Sequence, residues 1–236
     1  MAKHGSKRAC PWCMCFSERT SWFTLAIGTA ANAVAVYALA SCLRPDAAVV
    51  PICLVLAWQY ALLMQIPDAL AWRSPSATYP GKLACALNVT QPLVTLALVY
   101  TMLRRLGLPA TRLAPAAIVG AAYVGHIACA VLRTSFDLRP LAGCTNLTYP
   151  WWDRAPADFY LYALCILLAI AAVPSPPLAC LSVAVFVGSL AVVRAKVGTG
   201  CSPSSLWCWS VAPAGAVTAV AAFLLHPPAG ALAIPS

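Results

Sequence analysis

Hydrophobic positions along the chain gather into seven blocks, 22–43, 48–72, 82–103, 110–132, 158–174, 177–195 and 206–226, parted by short stretches rich in Pro, Gly and Ser. Each block is close to the roughly 20 residues that a helix needs to cross the hydrocarbon core of a bilayer. The pattern therefore predicts an all-α fold, a polytopic membrane bundle of about seven transmembrane helices. The fifth and sixth blocks are the shortest and are separated only by Val173 to Pro177, a spacing open to a tight helical hairpin or a re-entrant pair. Around the bundle lie a basic, Cys-containing tail over 1–21 and a short tail over 227–236, with no internal repeat and no second domain.

The second block breaks its own pattern. Trp58, Gln65, Asp68 and Trp72 fall on one helical stripe, and Pro67 withdraws the amide that would bond the carbonyl of Leu63. A stripe with an acid and an amide cannot face lipid. The third block repeats the device, with Asn88 and Gln91 three residues apart and Pro92 releasing the carbonyl of Asn88 into a polar notch. The fourth brings Tyr123 and His126, again three apart. His126, placed deep in its span, is open to two readings: a hydrogen bond between helices, or a proton carrier or ligand paired with Asp68.

Composition changes the picture in one respect only. The chain of 236 residues is 62% hydrophobic and 9% charged, with mean hydropathy +0.82, far too apolar for a soluble domain. Its net charge of +9 is dispersed between apolar segments, so the bases read as topology signals and not as a nucleic-acid surface. With the N-terminus inside, eleven of the fifteen Lys and Arg lie on the inner side against Arg44, Arg104, Arg105 and Arg112 outside. N-in and C-out is the expected orientation, in an integral multi-pass protein whose first partner is the lipid bilayer.

Twelve cysteines are scattered, several within spans where a thiol packs as a small hydrophobe. Cys10, Cys13 and Cys15 are the weak metal candidates; the Cys-x-x-Cys spacing suits a redox dithiol or half a zinc site, and a lipid-modified thiol or a plain tail fits as well. The long connection before the fifth block holds Cys144, Trp151 and Trp152, and the last block opens with Trp207, Cys208 and Trp209. Paired tryptophans at span ends read as interfacial anchors.

Five segments taken in order carry a family resemblance: Met14 to Ser17, Met64 to Trp72, Asn88 to Leu93, Cys144 to Trp152 and Ser205 to Trp209. They resemble the multi-span membrane proteins of large DNA viruses, algae and bacteria that begin Met-Cys-Phe-Ser. The resemblance covers about residues 14 to 215 and implies a shared fold and candidate site without naming a reaction. Two departures stand out: residues 1–13 look like an extension, and the acid of the second span, Asp68 here, is more often glutamate in the family.

The functional expectation is a small-solute or proton-coupled transporter or channel, with a pocket formed by Gln65, Asp68, Trp72, Asn88, Gln91, Tyr123 and His126. A scaffold whose polar residues only lock helices is the first alternative. An intramembrane enzyme acting on a lipid or quinone is the second, with no HExxH, GxSxG or nucleotide-binding glycine loop to favour it. No cofactor is expected.

Overall fold

Ser17 starts the first helix by accepting the backbone N–H of Thr20 on its hydroxyl at 3.2 Å, satisfying one of the amides that a helix leaves open. The computed structural model describes residues 17–74, 76–132, 156–197 and 212–227, together with Phe136, Leu138 and Leu147. These form eight α-helical segments: α1 (Glu18–Cys42), α2 (Pro45–Leu62), α3 (Gln65–Arg73), α4 (Tyr79–Arg105), α5 (Ala114–Val131, entered by a 3-10 turn at Ala110–Leu113), α6 (Pro156–Ala171), α7 (Pro176–Val197) and α8 (Ala214–Leu225). No strand occurs among the described residues.

Local chemistry sets the boundaries. Pro45, Pro80 and Pro176 sit in the opening turns of α2, α4 and α7, where a missing N–H costs nothing. At the end of α4, Gly107 takes φ +67°, and Leu108 N–H reaches back to the carbonyl of Leu103 at 2.9 Å. That left-handed cap turns the chain sharply into the 3-10 entry of α5.

The second block is not the single helix that its hydropathy predicts. α2 stops at Leu62, the backbone tightens at Leu63 and Met64, and α3 begins at Gln65. Pro67 is the physical cause, because the Leu63 carbonyl it deprives is taken instead by Ile66 N–H at 3.0 Å, a tighter turn. The carbonyl is thus satisfied by local backbone. Despite the break, Trp58, Gln65 and Asp68 are buried and Trp72 is half-buried, so the polar stripe keeps its inward direction.

α1 packs on α2, α3 and α8, while α4 sits centrally against α2, α3, α5 and α6; α6 continues onto α7, and α7 onto α8. The larger core runs through α2, α4, α5, α6 and α7, and a smaller one joins α1, α2 and α8. α6 and α7 are linked by four residues and pack together, an arrangement common to both sequence alternatives, the hairpin and the re-entrant pair.

Five helices are long and apolar enough to cross a membrane: α1, the broken rod of α2 and α3, α4, α5 with its 3-10 entry, and α7; α6 and α8 are shorter apolar helices. The sidedness of α1 is the reverse of a soluble helix. Ser21, Thr24, Gly28 and Asn32 face inward, and Phe23, Ile27, Val34 and Tyr37 face out. Small and polar residues at helix contacts with apolar residues outside are the packing pattern of lipid-embedded helices. Gly215 on α8 shows how close the approach is, since a Cβ there would fall 1.9 Å from Asn32 Oδ1.

Candidate functional site

Polar side chains of α3 to α6 gather in one half of the bundle. Arg73, at the end of α3, lies 4.0 Å from Glu18 at the start of α1, which fixes which end of the rod is which. Counting from that side, Asp68 and Gln65 lie about 7 and 12 Å in along α3, and Asn88 and Gln91 about 13 and 18 Å in along α4, at 1.5 Å per residue. Tyr123 and His126 occupy the last turns of α5, and Asp158 and Tyr162 the first turns of α6.

α4 supplies the centre of this seam. The Asn88 carbonyl released by Pro92 accepts the hydroxyl of Tyr123 at 3.4 Å. One turn further, Tyr162 donates its hydroxyl to Oε1 of Gln91. The two tyrosines, both fully buried, meet edge to face with ring centroids 6.1 Å apart, and Phe159 stacks on Tyr162. The Asn88 carbonyl left open by Pro92 and the side-chain oxygen of Gln91 are thus each met by a tyrosine from a neighbouring helix.

His126 is placed differently from its expected position. Its side chain is 62% exposed on the outside of the bundle, about 7.5 Å from the end of α5 at 1.5 Å per residue. Its Nδ1 pairs with Oδ1 of Asp158 at 3.1 Å, and Asp158 itself has no exposed surface. The partner of His126 is Asp158 and not Asp68, because the ring leaves α5 on the side packed against α6. Tyr162 and Asp158 escaped the sequence reading as site residues, although their spacing of four on one helix face was a usable signal.

The seam carries more polar atoms than its neighbours engage. Gln65 Nε2, Asn88 Nδ2 and Oδ1, Gln91 Nε2 and Asp158 Oδ2 have no hydrogen-bond partner among the described residues. Gln65, Asn88 and Gln91 are each at most 3% exposed. Buried polar atoms are almost always satisfied, since each orphan costs about 1–3 kcal/mol.

A second polar system, missed from sequence, ties α1 to α2. Asn32 Nδ2 donates to Gln59 Oε1 at 2.8 Å, and Gln59 Nε2 donates to Thr29 Oγ1 at 3.0 Å. Tyr60 and Thr90 join their hydroxyls at 2.7 Å between α2 and α4.

Beside the seam, a small apolar cavity of about 30 Å³ lies between α2, α4, α6 and α7. Its wall includes Gln91, Trp58 and Tyr162 but not Gln65, Asp68 or Asn88. No group of three potential metal ligands forms among the described residues. Cys10, Cys13, Cys15, Cys144, Trp151, Trp152, Trp207, Cys208 and Trp209 lie outside the described residues. Comparison with protein-family models, with curated proteins and with solved structures gives no match to this chain.

Proposed function

We propose that the chain is an integral multi-pass membrane protein that moves protons or a small hydrogen-bonding solute along the polar seam of α3, α4, α5 and α6. In this reading seven segments cross the bilayer, N-in and C-out, and the chain is a member of the Met-Cys-Phe-Ser family that its five ordered segments resemble. The supporting observation is the set of buried amide atoms without partners, Gln65 Nε2, both side-chain polar atoms of Asn88, and Gln91 Nε2. Such groups call for a polar species to bond them, and water or a small solute does so at little entropic cost. His126 and Asp158 give the seam an ionisable entrance at the inner ends of α5 and α6. Asp68, an acid only 2% exposed on the rod packed against α4, is the second ionisable member.

One observation favours the scaffold reading instead. The bonds Tyr123 to Asn88, Tyr162 to Gln91 and Asn32 to Gln59 each join two helices. Interhelical bonds of this kind contribute about 0.6–2 kcal/mol apiece and need no substrate.

Reconstitution separates the two. Proteoliposomes loaded with a pH-reporting dye and given a potassium diffusion potential will acidify faster than empty liposomes. Asn88→Leu and Asp68→Asn will each remove most of that flux, and Val34→Leu on the outer face of α1 will not. For Asn88→Leu the melting temperature stays level or rises, because two orphaned polar atoms are removed. Wild-type flux equal to empty liposomes, for protons and for a panel of small polar solutes, would leave the scaffold.

A further inference from the structure

α4 is the central helix of the bundle, packed against α2, α3, α5 and α6, yet one stripe of it stays open. Lys82, Ala86, Leu93, Ala97, Tyr100 and Arg104 recur at helical spacing and are all exposed. From Lys82 to Arg104 the stripe measures about 33 Å at 1.5 Å per residue, close to the roughly 30 Å of a bilayer's hydrocarbon core. Both of its edges are occupied. Leu96 meets α5, since a Cβ on Gly120 would fall 3.0 Å from Leu96 Cδ1, and Thr90 meets α2 through the hydroxyl of Tyr60 at 2.7 Å. At about 100° per residue, Leu96 and Thr90 stand about 120° apart around α4, with Leu93, Ala97, Tyr100 and Arg104 between them. The stripe is therefore the floor of a furrow between α2 and α5. Its residues are correspondingly recessed: Leu93 is 38% exposed and Tyr100 49%, against 68% for Val34 and 75% for Tyr37 on the outer face of α1.

Charge distinguishes one end of the furrow. Arg104 and Arg105 close α4, the left-handed Gly107 turns the chain, and Arg112 follows in the 3-10 turn packed against α4. All three arginines are exposed. Among the described residues the ion pairs are Arg73 with Glu18 and His126 with Asp158, both toward the opposite end of the bundle. Arg44 adds a fourth cation beside the first turn of α2, against one described acid at this end, Asp46. Helix dipoles do not account for the set. Arg104 and Arg105 suit the C-terminal end of α4, but Arg112 stands just before the N-terminus of α5, where a cation is unfavourable. Unpaired cations at the mouth of an apolar furrow match an anion that carries an apolar chain.

We propose that the furrow holds an anionic phospholipid, with an acyl chain lying on Leu93, Ala97 and Tyr100 between α2 and α5. Its phosphate is held by Arg104, in the positive field of Arg105 and Arg112. A zwitterionic lipid suits the site less, because its own ammonium offsets the phosphate charge that the arginines attract. The site rests on the membrane reading of the fold but on neither transport nor orientation, since its residues are no part of the seam.

Native mass spectrometry of the full-length protein tests it, with the protein released from micelles containing equal amounts of phosphatidylglycerol and phosphatidylcholine of matched chains. The wild type will retain phosphatidylglycerol at least about tenfold more tightly than phosphatidylcholine. Arg104→Gln and Arg112→Gln will each weaken that retention about fivefold, the effect of one basic residue near an anionic headgroup. Arg19→Gln, at an exposed position on the opposite end of the bundle, will leave it unchanged. Ala97→Trp, which fills the furrow floor without touching a charge, will displace the lipid; if that variant misfolds, Arg104→Gln still decides. Equal retention of the two lipids, or undiminished retention in Arg104→Gln, would overturn the proposal. Undiminished retention in Ala97→Trp would overturn it too, since the headgroup would then bind by charge alone. A lipid-free dimer broken by Ala97→Trp would give the furrow to a second copy of the chain instead. Alkaline carbonate extraction checks the membrane reading separately: release of the protein from membranes would remove that reading and the lipid site with it, whereas retention in membranes without lipid selectivity would remove the site alone.

Discussion

Pro92 and Tyr123 act as one unit across 31 positions of sequence. Proline strips the Asn88 carbonyl of its helical donor, and the Tyr123 hydroxyl replaces it from α5 at 3.4 Å. A double-mutant cycle isolates this compensation. Tyr123→Phe should cost about 1 kcal/mol in the wild-type background, within the range for membrane-helix hydrogen bonds. In Pro92→Ala, where residue 92 regains its own N–H, the same change should cost almost nothing by reversible unfolding in mixed micelles. An identical cost in both backgrounds would mean that Tyr123 does not serve the carbonyl. The notch was legible in sequence, because Asn88, Gln91 and Pro92 are local and proline chemistry is fixed. Its partner Tyr162, 71 residues from Gln91, was not, because nothing local tells which helices will be neighbours.

At the scale of elements, hydropathy located the rods and missed their articulation. Block 82–103 falls within α4, which extends two or three residues beyond it at each end, and block 22–43 matches α1, which begins four residues earlier and ends one residue sooner. Block 48–72 divides at Leu63 and Met64, since apolarity carries no information about the backbone bond that Pro67 removes. Block 206–226 is shortened on the described side, where α8 begins directly after Pro213; residues 206–211 lie outside the description. Pro67→Ala should let residue 67 bond the Leu63 carbonyl and join α2 to α3. Amide exchange from Met64 to Asp68 should then slow, and unchanged exchange there would assign the break to packing. Gly215→Leu tests a different joint: its side chain would overlap that of Asn32, so α8 should detach from α1 at a cost above about 2 kcal/mol, in the range for overpacking. A neutral result in thermal unfolding would refute the close contact.

On the scale of the whole molecule, polar groups are concentrated toward one end of four central helices, and the apolar cavity occupies the space beyond Gln91. His126 illustrates what a sequence cannot resolve. Its position within an apolar run suggested the interior, but helix rotation puts it outside, and only the packing of α5 on α6 delivers Asp158 to it. The N-in, seven-span reading makes a further prediction. A glycosylation acceptor inserted at Gly107 to Pro109 should be modified in microsomes and one inserted at Ser76 to Thr78 should not; the opposite pattern would invert the topology.

The central claim is that the seam between α3 and α6 holds a hydrogen-bonding species in the folded protein. Hydroxyl-radical footprinting of the protein in nanodiscs tests this most directly, because radicals formed from enclosed water oxidise the side chains beside it. Tyr123 and Tyr162 have no exposed surface, so bulk radicals do not reach them. Both tyrosines should be oxidised in the wild type and spared in Asn88→Leu; two unmodified tyrosines in the wild type would mean that the seam is empty.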